Sequence, residues 1–227
     1  MNKFNLLTAI LFFSLFTLSS TEKDELVLRS ENGYYRTVTN QKVFVAQGNA
    51  YILIDNNEIY CDEIEIFMTS DDRVEKAIFR RNIRIFQIED EIEIGGEYAE
   101  YIKRDKRFVI RENAFYIDVK EEVAVFGDSI YSYEEEKVAI VQGNVRIFQK
   151  DIFARGAFVK YTRTDKRMEI SGFPTVESKG SVYSARKIVV DVENNTFILE
   201  GGLEAKIINE SSSPNQQTES QQMGTEQ

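Results

Sequence analysis

Histidine and tryptophan are absent from this sequence, cysteine occurs once, at Cys61, and proline only twice. Without an imidazole, Ser-His-Asp and Cys-His nucleophile systems cannot be assembled, and zinc loses one of its two usual ligands. A lone cysteine forms no intramolecular disulfide, so the fold must stand on packing alone. Cys61 reads as a small apolar filler rather than a reactive thiol. Long hydrophobic runs are scarce too. The apolar stretch Leu6–Leu18 has 13 residues, below the roughly 20 that a membrane-spanning helix needs. Positive charge is in deficit, and the net charge of −10 repels phosphate backbones and anionic headgroups. Nucleic acid is therefore not an expected partner, and peripheral binding to an anionic membrane is disfavoured.

Carboxylates are what the chain has in quantity, so a glycosidase-type acid pair has to be weighed. Asp62, Asp128 and the run Glu134-Glu135-Glu136 fall at turn or strand-edge positions, where they read as solvated charges. No catalytic residue, metal ligand or cofactor site is expected.

The two ends differ from the middle. Residues 1–20 read as a secretory signal: Lys3 supplies the positive start, Leu6–Leu18 the apolar segment, and Thr17, Ser19 and Ser20 the small residues before a charged stretch. Kept uncleaved, the same segment would serve as an anchor. Residues 209–227 are Ser-, Gln- and Glu-rich with almost nothing apolar, the composition of a disordered tail. That leaves 21–208 for one folded domain.

Within 21–208 the sequence repeats. Gly48-Asn49, Arg81-Asn82, Glu112-Asn113, Gly143-Asn144, Gly172-Phe173 and Gly201-Gly202 follow one another at spacings of 33, 31, 31, 29 and 29 residues. Residues 81–87 (RNIRIFQ) match 143–149 (GNVRIFQ) closely. Polar triplets, Asp71-Asp72-Arg73, Asp105-Lys106-Arg107 and Asp165-Lys166-Arg167, mark turns between apolar runs. Such self-similarity signals stacked supersecondary units.

Inside a repeat the period is two, as in strands. Four and two residues before each aligned pair stand Phe44 and Ala46, Ala77 and Phe79, Phe108 and Ile110, Ala139 and Val141, Met168 and Ile170, Phe197 and Leu199. After the pair the parity flips, and the uncharged positions become Ala50 and Ile52, Ile83 and Ile85, Ala114 and Tyr116, Val145 and Ile147, Pro174 and Val176, Leu203 and Ala205. Arg84, Arg146, Lys76 and Glu169 belong to the opposite face. One face stays inward through a parity change only if the strand turns a corner there. Gly and Asn tolerate the left-handed backbone a corner demands. Each repeat should thus hold a strand, a corner, a second strand, a turn and a third strand. The third opens on a small residue and an acid, as in Cys61-Asp62-Glu63-Ile64, Gly96-Glu97-Tyr98 and Gly127-Asp128-Ser129-Ile130.

An apolar inner face alone is more often a filled core than a ligand site. Stacked repeats tilt the reading toward an elongated trough. The Gly48-Asn49-Ala50-Tyr51-Ile52 corner with Cys61-Asp62-Glu63-Ile64, and Gly143-Asn144-Val145-Arg146-Ile147 with Gly156-Ala157-Phe158, carry a further signal behind an export segment. Together they resemble the OstA-like (LptA) family of lipopolysaccharide-transport proteins over Leu26 to Ile208. The resemblance departs from the family where the Gly-Asn pair is replaced, and where the acid is lost at Gly156 and Arg186.

The resemblance implies an all-β fold, an open repetitive β-jellyroll of antiparallel strands with an internal apolar groove. It implies a periplasmic bridge that carries lipopolysaccharide or a related glycolipid from inner to outer membrane. Partners would be the lipid, the inner- and outer-membrane transport components, and further copies joined head to tail. Ile52, Phe79, Ile85, Phe108, Ile110, Val141, Val145, Ile147, Phe197 and Leu199 are the groove residues it leads one to expect. Two other readings stay open: a membrane-anchored LptC-like component of the same pathway, and an exported structural or glycan-binding β protein with a filled core.

Overall fold

The computed structural model describes residues 27–207; the export segment expected at 1–20 and the tail expected at 209–227 lie outside them. The described residues form an open, antiparallel β-jellyroll of sixteen strands in one hydrogen-bonded sheet. In chain order these are β1 Val27–Arg29, β2 Asn32–Val38, β3 Gln41–Ile54, β4 Asn57–Met68, β5 Val74–Gln87, β6 Ile92–Ile102, β7 Arg107–Asp118 and β8 Val123–Tyr133. They continue as β9 Val138–Gln149, β10 Ile152–Thr162, β11 Arg167–Ser171, β12 Thr175–Ser178, β13 Ser181–Ser184, β14 Lys187–Asp191, β15 Thr196–Glu200 and β16 Glu204–Lys206.

The long strands β3 to β10 each pair with the next, and each folds at a midpoint corner. One half of every long strand lies in a first lobe and the other half in a second. At the ends the lobes have separate strands. β1 pairs with Tyr51–Leu53 of the first lobe and β2 with Gln41–Gln47 of the second. At the far end β12, β13 and β16 extend the first lobe, and β11, β14 and β15 the second.

The corners sit at the six aligned pairs. All twelve residues have positive φ, between 42° and 81°. Each pair in β3, β5, β7 and β9 is an insertion against one residue of the following strand: Gln47 and Ala50 flank the first corner and face Glu63 and Cys61, leaving Asp62 alone opposite Gly48-Asn49. Glu97, Asp128 and Ala157 hold the equivalent positions. The corner and the small-residue–acid signature, read separately in the sequence, are one device. Asn82 Nδ2 donates to both oxygens of Asp62 at 3.2 Å, and Asn144 Nδ2 to both oxygens of Asp128 at 3.1 and 3.0 Å. Asn49 Nδ2 reaches Glu31 in the same way at 2.5 Å. Asp128 and Glu31 are exposed and Asp62 half-buried, yet all three are structural acceptors rather than merely solvated charges. In the fourth repeat the acid's place belongs to Ala157, not to Gly156, and Ala157 packs against Gly172. In the fifth, Arg186 Nε donates to the Gly201 carbonyl at 3.1 Å.

The separate first and second strands expected of each repeat are one continuous strand bent at its bulge. The third strand is likewise a long strand shared by both lobes. The reason is that a two-against-one insertion preserves ladder pairing on both sides of the corner.

Gly143 tests this corner. Its φ is 75°, and a Cβ there would lie 2.2 Å from Asp128 Oδ2 and 2.9 Å from Asp128 Cβ. Gly180 shares the left-handed φ of 74° with nothing within 4 Å. Gly180→Ala should therefore cost about 1–2 kcal/mol for the backbone alone, and Gly143→Ala clearly more. Urea denaturation of the two variants checks the order.

Candidate functional site

Both parity sets point between the lobes and merge into one apolar cluster along the stack. Ile52, Phe79, Ile85, Phe108, Ile110 and Ile147 are wholly buried, and Val141 and Val145 are buried. All eight belong to that single cluster, while Phe197 and Leu199 are half-buried and pack against it at the β15 end. Thus the ten expected residues share one interior, although it is filled by their own side chains. Tyr101 stacks on Phe108 with ring centroids 4.5 Å apart, and Tyr116 meets Tyr161 edge-on at 6.1 Å. The last inward positions of the sequence pattern, Leu203 and Ala205, are exposed, because among the described residues no strand covers them.

Cys61 lies in this cluster with its Sγ 3.3 Å from the Glu63 carbonyl. Burial pushes its thiol up to about 12, so it stays protonated and inert, the filler the composition suggested.

On the side away from the corners the two lobes meet through side chains instead of backbone ladders. Across the seam, acids at hairpin tips of the first lobe, Asp55, Asp90 and Glu121, meet cations at tips of the second, Lys103, Lys137, Arg163 and Lys166. Along the stack, Tyr101 Oη and Lys103 Nζ reach Asp55 at 2.7 and 3.1 Å. Gln87 Nε2 donates to Glu134 at 2.8 Å. Lys137 Nζ and Arg163 Nη1 converge on Asp90 at 2.6 and 3.1 Å. Lys166 meets Glu121 at 3.3 Å, and Gln149 Nε2 donates to the Val192 carbonyl at 2.8 Å.

The centre of this seam is Arg163. Besides Asp90 it holds Asp118, whose side chain is wholly buried, through Nε at 3.2 Å. Asp118 also accepts from the Tyr161 hydroxyl at 3.3 Å and the Glu121 N–H at 3.1 Å. A void of about 10 Å³ lies beside it, lined by Tyr116, Asp90, Lys137 and Arg163, room for about one water molecule.

Burial alone would push Asp90 up, but hydrogen bonds from Lys137 and the charge of Arg163 outweigh it and hold its carboxyl below the ordinary 3.8. Glu134 goes the other way: burial raises it, against hydrogen bonds from Asn57 and Gln87. A depressed folded pKa stabilises above the ordinary value and loses that contribution as pH falls through the folded one. The seam pair at Asp90 should therefore weaken in acid below about pH 3.8. Asp90→Asn should be less stable than the parent at pH 7 and lose less on acidification, a difference that thermal melts across pH 2–7 would resolve (about five units wide to bracket both forms).

Sequence reasoning missed the seam. Asp55, Asp90, Asp118 and Asp151 each stand at the end of an apolar run, and Lys103, Lys137, Arg163 and Lys166 at the opposite turns. Their recurrence was there to see, but charged residues at turns are ordinary, and pairing across the lobes needs the corner geometry.

No model of a known protein family matches the chain, and no curated protein matches it significantly. Among solved structures, one similar to it is that of LptH from Pseudomonas aeruginosa, described as the LptA-homologous periplasmic component of the conserved lipopolysaccharide transport device. It aligns at 16% identity with a TM-score of 0.49, over 53% of this chain and 97% of that one. No helix among the described residues is long and apolar enough to cross a membrane.

Proposed function

We propose that this protein is an exported, non-enzymatic carrier that takes the acyl chains of a glycolipid, of the lipopolysaccharide class, between its two lobes. The lipid passes from the inner to the outer membrane along a row of such carriers. The observation that supports this reading is the stack of left-handed corners, which folds one sheet into a continuous apolar interior that only side chains close on the far side. Because Ile52, Phe79, Ile85, Phe108, Ile110 and Ile147 already fill that interior, an acyl chain enters by parting the seam and displacing side chains at the half-buried Phe197 and Leu199 end first. Pathway components of the two membranes and further copies of the chain are the partners, reached through the free strand edges.

Mass spectrometry of organic extracts of the protein, purified from the exported fraction without detergent, tests the reading. A stoichiometric acylated glycolipid is the expected result, and N-terminal sequencing of the same material should find cleavage near Ser19 or Ser20. An extract free of acyl chains would favour a filled-core β protein. Retention of Met1 in membranes would favour the anchored variant.

A further inference from the structure

The outer face of the first lobe carries a feature that the carrier reading does not use. Arg146 of β9 and Arg155 of β10 are directly opposite each other in the ladder, and both are exposed. Like charges in that position repel and destabilise a sheet. Several exposed arginines of this acidic protein have carboxylates, as Arg84 has Glu93, Arg81 has Asp62 and Arg36 has Glu65; Arg29 and Arg111 rest on tyrosine rings instead, but neither faces a second arginine. Among the described residues, no carboxylate lies within ion-pair distance of Arg146 or Arg155. What holds them is aromatic. The Arg146 guanidinium lies 5.5 Å from the Phe126 ring centroid and that of Arg155 4.7 Å from the Phe153 ring. Phe148 completes the cluster, 4.8 Å from Phe153 and 5.9 Å from Phe126, and is 45% exposed.

Stacking on a ring face fixes a guanidinium but leaves its N–H edge free to bind an anion. Two such edges on adjacent strands are close enough to share one ligand. A single carboxylate neutralises only one of the two charges. A phosphate monoester carries about −1.5 to −2 at neutral pH with three acceptor oxygens, and so matches the pair. Next to it Phe126 borders an outward-facing concavity of about 570 Å³ whose apolar wall is Phe115 and Ile117 and whose rim carries the paired Arg84 and Glu93 with Glu97.

We propose that Arg146, Arg155, Phe126, Phe148 and Phe153 form a second, outer binding site for a phosphate monoester carried on an apolar body. The site lies on the opposite side of the sheet from the interior, and it stands or falls independently of the carrier reading. Net charge argues against general adhesion to anionic surfaces; this pair is a local exception with a defined stoichiometry.

Isothermal titration of the full chain with n-octyl phosphate, inorganic phosphate and n-octyl glucoside is the test. Octyl phosphate should bind at one site at least tenfold more tightly than either single-feature probe. Arg146→Gln/Arg155→Gln should weaken it tenfold or more, and Phe148→Ala several-fold, while Arg104→Gln, which loses an arginine paired with Asp105 at a turn of the other lobe, should leave it unchanged. The double variant should also melt no lower than the parent in phosphate-free buffer, since it relieves repulsion. Co-flotation with phosphatidylcholine vesicles containing phosphatidic acid, a monoester, but not phosphatidylglycerol, a diester, would assign the ligand to a membrane. Octyl phosphate binding without flotation would assign it to a dispersed amphiphile. Absence of octyl phosphate binding, or equal binding by the parent and the double variant, overturns the proposal.

Discussion

Replacing Arg163 with alanine is expected to cost about 3 kcal/mol of stability, the scale seen when one partner of a buried ion pair is removed. The size follows from what is left behind. Asp118 is wholly buried and Arg163 is its ion-pair partner, with Tyr161 and the Glu121 N–H as its remaining donors. Asp90 would lose one of its two cations and keep Lys137. Arg163→Ala/Asp118→Asn should recover part of the loss, because the buried carboxylate is then neutral. Arg104→Ala, which removes an exposed contact with its neighbour Asp105, should change stability by less than about 1 kcal/mol. Chemical denaturation of the four proteins decides it. If the seam also governs access to the interior, Arg163→Ala should take up a fluorescent fatty-acid probe faster than the parent. Uptake at the parental rate by a destabilised variant would separate the seam's structural role from gating.

The second large effect concerns assembly. An open sheet ends in unpaired backbone, and natural proteins blunt such edges with charge, proline or bulges. Strands β1, β2, β15 and β16 each have one edge free, and the β15–β16 end exposes Ile198 at 61%, Leu203 at 65% and Ile207 at 64%. Tyr34 and Tyr35 are exposed on β2 at the other end. The two ends differ, so pairing between them is heterologous and extends rather than closes. Light scattering over a concentration series should show growing oligomers for the full chain. Ile198→Lys/Leu203→Lys should hold it monomeric with an unchanged melt, since both residues are exposed. Removing residues 209–227, which follow β16 in the chain, should lengthen the oligomers. A monomer at every concentration, with and without the tail, would leave end-to-end bridging without support.

Much of the fold was legible because the corner writes itself twice into the sequence. Gly143-Asn144 shows where the chain turns left-handed, and the parity flip from Val141 to Val145 shows that the same face remains inside. Even Glu112-Asn113 and Gly172-Phe173, poor matches by residue type, adopt the same conformation, since register over the repeat outweighs the local preference of one residue. What stayed hidden is what depends on distance between lobes. Nothing in the spacing of Asp90 and Arg163 marks them as partners across a fold, and nothing near Arg155 shows that it faces Arg146. The interior residues were legible as inward, but inward residues serve a core and a lipid site alike. Their side chains fill the space either way, so the difference lies in whether the lobes part.

Whether the interior admits an acyl chain is decided most directly by site-specific photo-crosslinking. A photoreactive residue at Ile85, Val145 or Phe197, in protein whose circular dichroism matches the parent, is exposed to radiolabelled lipopolysaccharide and irradiated. Label is expected at all three positions, strongest at Phe197 near the open end, and none at the outward-facing Lys76 and Glu169. Equal label on both faces, or none at the interior positions while the protein remains folded, would contradict it.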